Sequence, residues 1–90
     1  MDAGAEFSLY PNPVRDGNLT ISLNGLDAEA DKAHIEVISS FGKLIHTETV
    51  AIGSGQMLQN VYLSEANATG MYFVTVRVGE QAFFGKVMVN

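Results

Sequence analysis

Met71-Tyr72-Phe73-Val74-Thr75-Val76-Arg77-Val78, then Gly79-Glu80-Gln81, then Ala82-Phe83-Phe84-Gly85-Lys86-Val87-Met88-Val89, is the stretch that decides the fold. In the first run Tyr72, Val74, Val76 and Val78 fall on one side of an extended chain and Phe73, Thr75 and Arg77 on the other, because successive strand side chains point to opposite faces. The Gly79-Glu80-Gln81 link predicts a hairpin turn into a last strand, with Phe83, Val87 and Val89 on one face and Lys86 and Met88 on the other. The first run is therefore expected to lie centrally in a sheet, antiparallel to the last.

Working outward, the same period recurs. Met57 to Leu63 and Lys43 to Val50 read as strands separated by Gly53-Ser54-Gly55, and Ile35 and Val37 alternate with His34 and Glu36 in another. Ser39-Ser40-Phe41-Gly42 predicts a tight connection, and Asn24 to Asp31 is polar and turn-rich. Leu19, Ile21 and Leu23 alternate with Thr20 and Ser22 after the turn Arg15-Asp16-Gly17-Asn18. Phe7 to Tyr10 predicts a short edge strand that stops at Pro11-Asn12-Pro13, where proline removes ladder donors and fixes φ. Leu63 to Gly70 has room for one helical turn at most. Residues 1–6 read as a linker and residues 7–90 as one domain. The sum is an all-β, seven-stranded antiparallel immunoglobulin-like β-sandwich without the Cys and Trp marks of antibody domains. Its expected core includes Leu19, Ile21, Ile35, Val37, Tyr72, Val74 and Val76.

Composition narrows the function. Ninety residues fit a single core, and 47% hydrophobic against 17% charged residues sustains a packed interior. Five Lys and Arg against ten Asp and Glu give a net charge of -5, which argues against nucleic acid and anionic membrane surfaces as partners. The absence of Cys excludes thiol catalysis, disulfides and thiolate zinc sites. No apolar run reaches the roughly 18–20 residues needed to span a bilayer as a helix, and the first six residues carry no apolar core of a signal peptide.

Few residues suggest chemistry. Asp27, Glu29 and Asp31 alternate in a loop as at the start of a calcium site, but Lys32 and Ile38 stand where the turn glycine and the bidentate glutamate belong, leaving only a weak clamp. His34, Glu36 and His46 in adjacent strands have the composition of a two-histidine, one-carboxylate metal site, against the ordinary reading of surface histidines. Gly53-Ser54-Gly55 lacks the lysine and the helix of a phosphate loop and reads as a turn. Asn18-Leu19-Thr20 and Asn67-Ala68-Thr69 match the permissive glycosylation pattern. Phe41, Tyr72, Phe73, Phe83 and Phe84 are expected to serve packing rather than a ligand platform. No nucleophile, base and acid combine into a triad. The expected cofactor set is empty.

Four segments in one order carry a family likeness: Leu9-Tyr10-Pro11-Asn12-Pro13-Val14, Ile35-Glu36-Val37-Ile38-Ser39-Ser40-Phe41-Gly42-Lys43-Leu44, Gly70-Met71-Tyr72-Phe73-Val74-Thr75-Val76, and Lys86-Val87-Met88-Val89-Asn90. Together they resemble the C-terminal sorting domain of type IX, or Por, secretion systems, over about nine tenths of the chain. Asn90 stands where the family usually has a basic residue, and Asn67-Ala68-Thr69-Gly70 lacks the family's usual proline.

The resemblance implies a domain at the extreme C-terminus of a larger exported protein of a Gram-negative bacterium, so a reading frame continuing past Asn90 would exclude it. Its implied partners are the fused cargo, the outer-membrane translocon and a sortase-like peptidase that removes the domain and commonly transfers cargo to an anionic lipopolysaccharide. The domain itself would be a signal, not an enzyme, on a secreted or cell-surface parent. Lys86, Val87, Met88, Val89 and Asn90 are the expected recognition strand, which could lie at a sheet edge and pair with a receptor or with a second copy. Pro11, Asn12 and Pro13 are the second determinant that the likeness implies. The rival reading is an immunoglobulin-like or fibronectin-like spacer, or a carbohydrate-binding appendage, of an extracellular hydrolase or adhesin.

Overall fold

The computed structural model describes residues 5–63 and 69–90. It contains seven strands: β1 (Glu6–Tyr10), β2 (Asn18–Asn24), β3 (Lys32–Ser39), β4 (Leu44–Ala51), β5 (Met57–Tyr62), β6 (Gly70–Val78) and β7 (Gln81–Val89). They form two antiparallel sheets, one in the order β1-β2-β5 and one in the order β4-β3-β6-β7. The seven-stranded immunoglobulin-like sandwich expected from the period-two pattern is the fold found, with β6 between β3 and β7.

Alternation sets the core. Leu19, Ile21 and Leu23 of β2 meet Ala33, Ile35 and Val37 of β3 and Tyr72, Val74, Val76 and Val78 of β6, all buried. Every residue predicted for the core is there. A slip of one residue in any of these strands would turn its apolar set to solvent, so the burial pattern fixes the register. Gly79 and Glu80 join β6 to β7 as a two-residue hairpin, with Gly79 at φ +60° as the first position of a type II′ turn requires.

The boundaries shift slightly from the sequence reading. Glu6, assigned there to the linker, opens β1 opposite Asn24, while residues 1–4 lie outside the described residues. Strand β4 begins at Leu44 because Ser39 occupies the preceding turn: its N–H donates to the Lys43 carbonyl (2.8 Å), and its hydroxyl accepts from the N–H groups of Phe41 and Lys43 (3.2 Å each). The register then steps between Val37 and Ile38, where Val37 faces His46 but Ile38 faces Leu44, so Ile45 is the extra residue of a bulge. The helical turn considered for 63–70 falls largely on residues 64–68, outside the described residues.

Val74 is 1% exposed at the centre of this interior. Val74→Asp is expected to abolish folding, because an unpaired buried carboxylate costs about 4 kcal/mol or more against a total stability of about 5–15 kcal/mol. Circular dichroism checks it; a cooperative melt like that of the parent would mean that the inward face is misassigned.

Candidate functional site

The site begins where β1 ends. Pro11 and Pro13 cannot donate to a ladder, so pairing with β2 stops at Tyr10 opposite Thr20, and the chain crosses to the other sheet. Both the Tyr10-Pro11 and Asn12-Pro13 peptide bonds are cis. Val14, fully buried, then lies parallel to the end of β7 in a bridge with Val89. The Val14 N–H donates to the Met88 carbonyl (2.7 Å) and the Asn90 N–H donates to the Val14 carbonyl (2.8 Å). Asn12 completes the junction by accepting the Met88 N–H at its side-chain oxygen (3.0 Å), across 76 residues of sequence.

The two segments singled out from the sequence are thus one structural unit. Within it Val87 and Val89 point into the core, whereas Lys86, Met88, Asn90, Pro11 and Asn12 are exposed and Pro13 is half-buried. Sequence reasoning missed Val14 as the residue that joins the segments. Its signal was an apolar side chain directly after a double-proline bend, where a strand that changes sheets re-enters the core.

Strand β7 is a sheet edge, and its free part follows from the same bonds. Because the Met88 N–H and C=O both turn away from β6, alternation in an antiparallel ladder turns those of Lys86, Phe84 and Ala82 the same way. Among the described residues nothing pairs with these groups. The inner side of β7 is covered: the rings of Phe7 and Phe83 lie 5.9 Å apart, and a Cβ built on Gly85 would sit 2.7 Å from Leu9 Cδ1. Gly85 therefore lets β1 press against β7 without a side chain between them.

The outer face of the four-stranded sheet is open. Cross-strand register places Leu44, Ile38, Phe73 and Lys86 in one row, with Met71 beside Met88 and Thr75 beside Phe84 in the flanking rows. Tyr72 and Phe83 do pack inward, as expected of the aromatics, but Phe73 is exposed, Phe84 is 72% exposed and Phe41 is almost wholly exposed. The packing expectation fails for these three because Phe73 and Phe84 have outward parity and Phe41 sits at the tip of a turn. Lys32, Arg77 and Lys86 lie on this face with Glu36, and at the end nearest the β6–β7 turn Lys32 stands beside Asp27, Glu29, Asp31 and Glu80.

Among the described residues, the remaining metal candidates are not brought together. Asp27, Glu29 and Asp31 line a cleft of about 520 Å³ with Lys32, Glu80 and Gln81, yet Asp27 uses a carboxylate oxygen to accept the Glu29 N–H (3.0 Å). Among the described residues no three His, Asp or Glu side chains are placed to hold a metal ion. His34 and His46 fall on opposite faces of the sheet, so the three side chains weighed as a metal site are not brought together. His34 Nδ1 lies 3.0 Å from Thr49 Oγ1 on the outer face, whereas His46 Nε2 lies 2.5 Å from Glu48 Oε1 on the inner one. Glu48 also accepts from Gln59 Nε2 (3.2 Å), tying β4 to β5 between the sheets. The Gly53-Ser54-Gly55 segment is a turn, as read: the Leu26 N–H donates to the Gly55 carbonyl (3.0 Å), and a Cβ on Gly55 would strike the Leu26 carbonyl at 2.6 Å. Asn18 of the first glycosylation pattern is exposed at the start of β2, while Asn67 of the second lies outside the described residues.

The fold resembles that of a β-glucosidase from Listeria innocua in complex with glucose, at 14% identity and a TM-score of 0.53, covering 97% of this chain and 16% of that one. A second structure of β-glucosidase from Listeria innocua aligns at 15% identity and a TM-score of 0.49, over 96% of this chain and 16% of that one. The chain thus spans about a sixth of each enzyme's length, and the first likeness shows the fold alone. No curated protein matches the chain. The family model described as the secretion system C-terminal sorting domain matches residues 8–90, the same span that contains both arms of the junction and all seven strands but the first residues of β1. The chain belongs to the family of type IX secretion C-terminal sorting domains.

Proposed function

We propose that this domain directs a larger cargo across the outer membrane by being read at the junction of β7 with Pro11-Asn12-Pro13. Membership of the family makes the chain a sorting signal and its parent a secreted or surface-attached protein. The finer reading is that translocon components recognise the exposed members of the junction, Lys86, Met88, Asn90, Pro11 and Asn12, while Val87 and Val89 hold them in place. A sortase-like peptidase then removes the domain and joins many such cargos to an anionic lipopolysaccharide. The domain is substrate in these steps and performs no catalysis of its own.

The observation that carries this reading is the set of bonds from Val14 and Asn12 to Met88 and Asn90. Two segments far apart in sequence present exposed groups side by side only when the sandwich is folded. A receptor reading both at once therefore distinguishes a folded cargo tail from an unfolded one.

Recognition and packing separate by surface substitution. In a reporter fusion within a host carrying this secretion system, the Lys86→Glu, Met88→Ser double variant is expected to lose surface display while its Tm falls by less than about 8 °C, since exposed substitutions change stability by about 0.5 kcal/mol or less each. The buried control Val87→Ala should lower Tm by about 8–16 °C, from a loss of roughly 2 kcal/mol. Normal display of the double variant would overturn recognition at this junction.

A metal dependence would also contradict the reading. Chelator is expected to leave the Tm unchanged, and so is calcium at millimolar concentration, because the acidic loop is not assembled into a cage. A rise of several degrees with calcium, lost in Asp27→Asn, Asp31→Asn, would restore a site in that loop.

A further inference from the structure

We infer that the free stretch of β7 pairs with β7 of a second copy about a two-fold axis at Phe84. The domain has four sheet edges, and three carry features that discourage pairing. Strand β1 has five residues and runs into Pro11, β4 is bulged at Ile45, and β5 is short and polar through Gln59 and Asn60. Strand β7 is long and unbulged and contains no proline; its one charge between Ala82 and Val89 is Lys86.

Only one part of β7 is open. Asn12 and Val14 already occupy Met88 and Asn90, so the groups left to an incoming strand are those of Ala82, Phe84 and Lys86. That set is symmetric about Phe84. In an antiparallel two-fold pairing Phe84 exchanges both bonds with its own counterpart, and Ala82 exchanges them with Lys86 of the second copy. Residues directly opposite then lie about 4.5–5.5 Å apart between Cβ atoms, which sets the two Phe84 rings together on the open face. The arrangement buries the most exposed aromatic of the strand and joins two four-stranded sheets into one.

Charge agrees with the same register. Each Lys86 falls opposite an alanine and diagonal to Glu80 of the second copy, and the two lysines lie beyond a Debye length of about 8–10 Å from each other. An offset toward the chain end would set Lys86 against Lys86 or run into the segment that holds Met88, and an offset toward the Gly79-Glu80 turn would leave Lys86 opposite a turn residue, so fewer of the open groups would pair. The contact is small, below about 1,200 Å² in total, so the association is transient rather than obligate. It follows from the shape of β7 alone and stands or falls independently of the sorting function; the two uses of this edge exclude each other in time.

The test uses the 90-residue chain in sedimentation experiments up to about 1 mM. The parent is expected to show a monomer–dimer equilibrium. Phe84→Lys and Phe84→Glu, both at an exposed position and checked for folding by circular dichroism, should each weaken it about tenfold or more, because an axial residue meets its own like charge. An equimolar mixture of the two variants should associate more strongly than either alone. Leu58→Lys, on the outer face of the other sheet, should change nothing. A parent that is monomeric throughout, unaltered association of Phe84→Lys, a mixture no better than its components, or loss of association in Leu58→Lys would each overturn the proposal.

Discussion

The parallel bridge between Val14 and Val89 is the contact on which the rest of the arrangement depends. Two sheets of a sandwich are otherwise held by apolar contact and by the loops that cross between them. Here the chain itself changes sheets after Pro13, inserts Val14 into the interior and bonds to the edge of the opposite sheet on the way. Each bond contributes about 1 kcal/mol and the buried valine side chain roughly 1.5–3 kcal/mol. The larger effect is geometric, since the bridge fixes how β1 sits over β7 and so allows Leu9 and Phe7 to reach Gly85. The opposite side of the sandwich carries a polar link instead, in which Gln59 of β5 donates to Glu48 of β4.

This bridge also divides β7 into two parts with different properties. Residues 88–90 have their outward backbone groups satisfied from within the domain and present side chains held in fixed positions. Residues 82–86 have theirs open and can accept another strand. A receptor reading the first part meets a rigid composite surface built from both arms of the junction. A partner reaching the second part adds to the sheet. On the proposed reading one strand would serve as recognition surface and pairing edge side by side, and Lys86 would belong to both.

Much of the architecture is legible in the sequence, because period-two alternation in β2, β3 and β6 leaves one inward face possible for each strand. The likeness of four short segments gave the family. Register was not legible, and register decided the sites. The pairing of β3 with β4 joins His34 to Thr49 and Val37 to His46, so even-numbered residues of one strand meet odd-numbered residues of the other, and the two even-numbered histidines must face apart. The exposure of Phe84 was available from its parity with Lys86 and Met88, but an aromatic residue in a short chain invites assignment to the core. Val14 could be found only by seeing that the double-proline bend leads into the second sheet. Asn12 likewise reads as a turn residue until Met88 is placed beside it.

The most direct test of this account is residue-resolved native-state amide hydrogen exchange on the parent chain at dilute, monomeric concentration. Met88, Asn90, Phe84 and Lys86 all turn their N–H groups away from β6, so a simple sheet edge would expose the four alike. The account predicts that the Met88 and Asn90 amides are protected along with that of Val14, while those of Phe84 and Lys86 exchange rapidly. Equal and rapid exchange at all four would contradict the claim that the segment around Asn12 and Val14 clasps the end of β7.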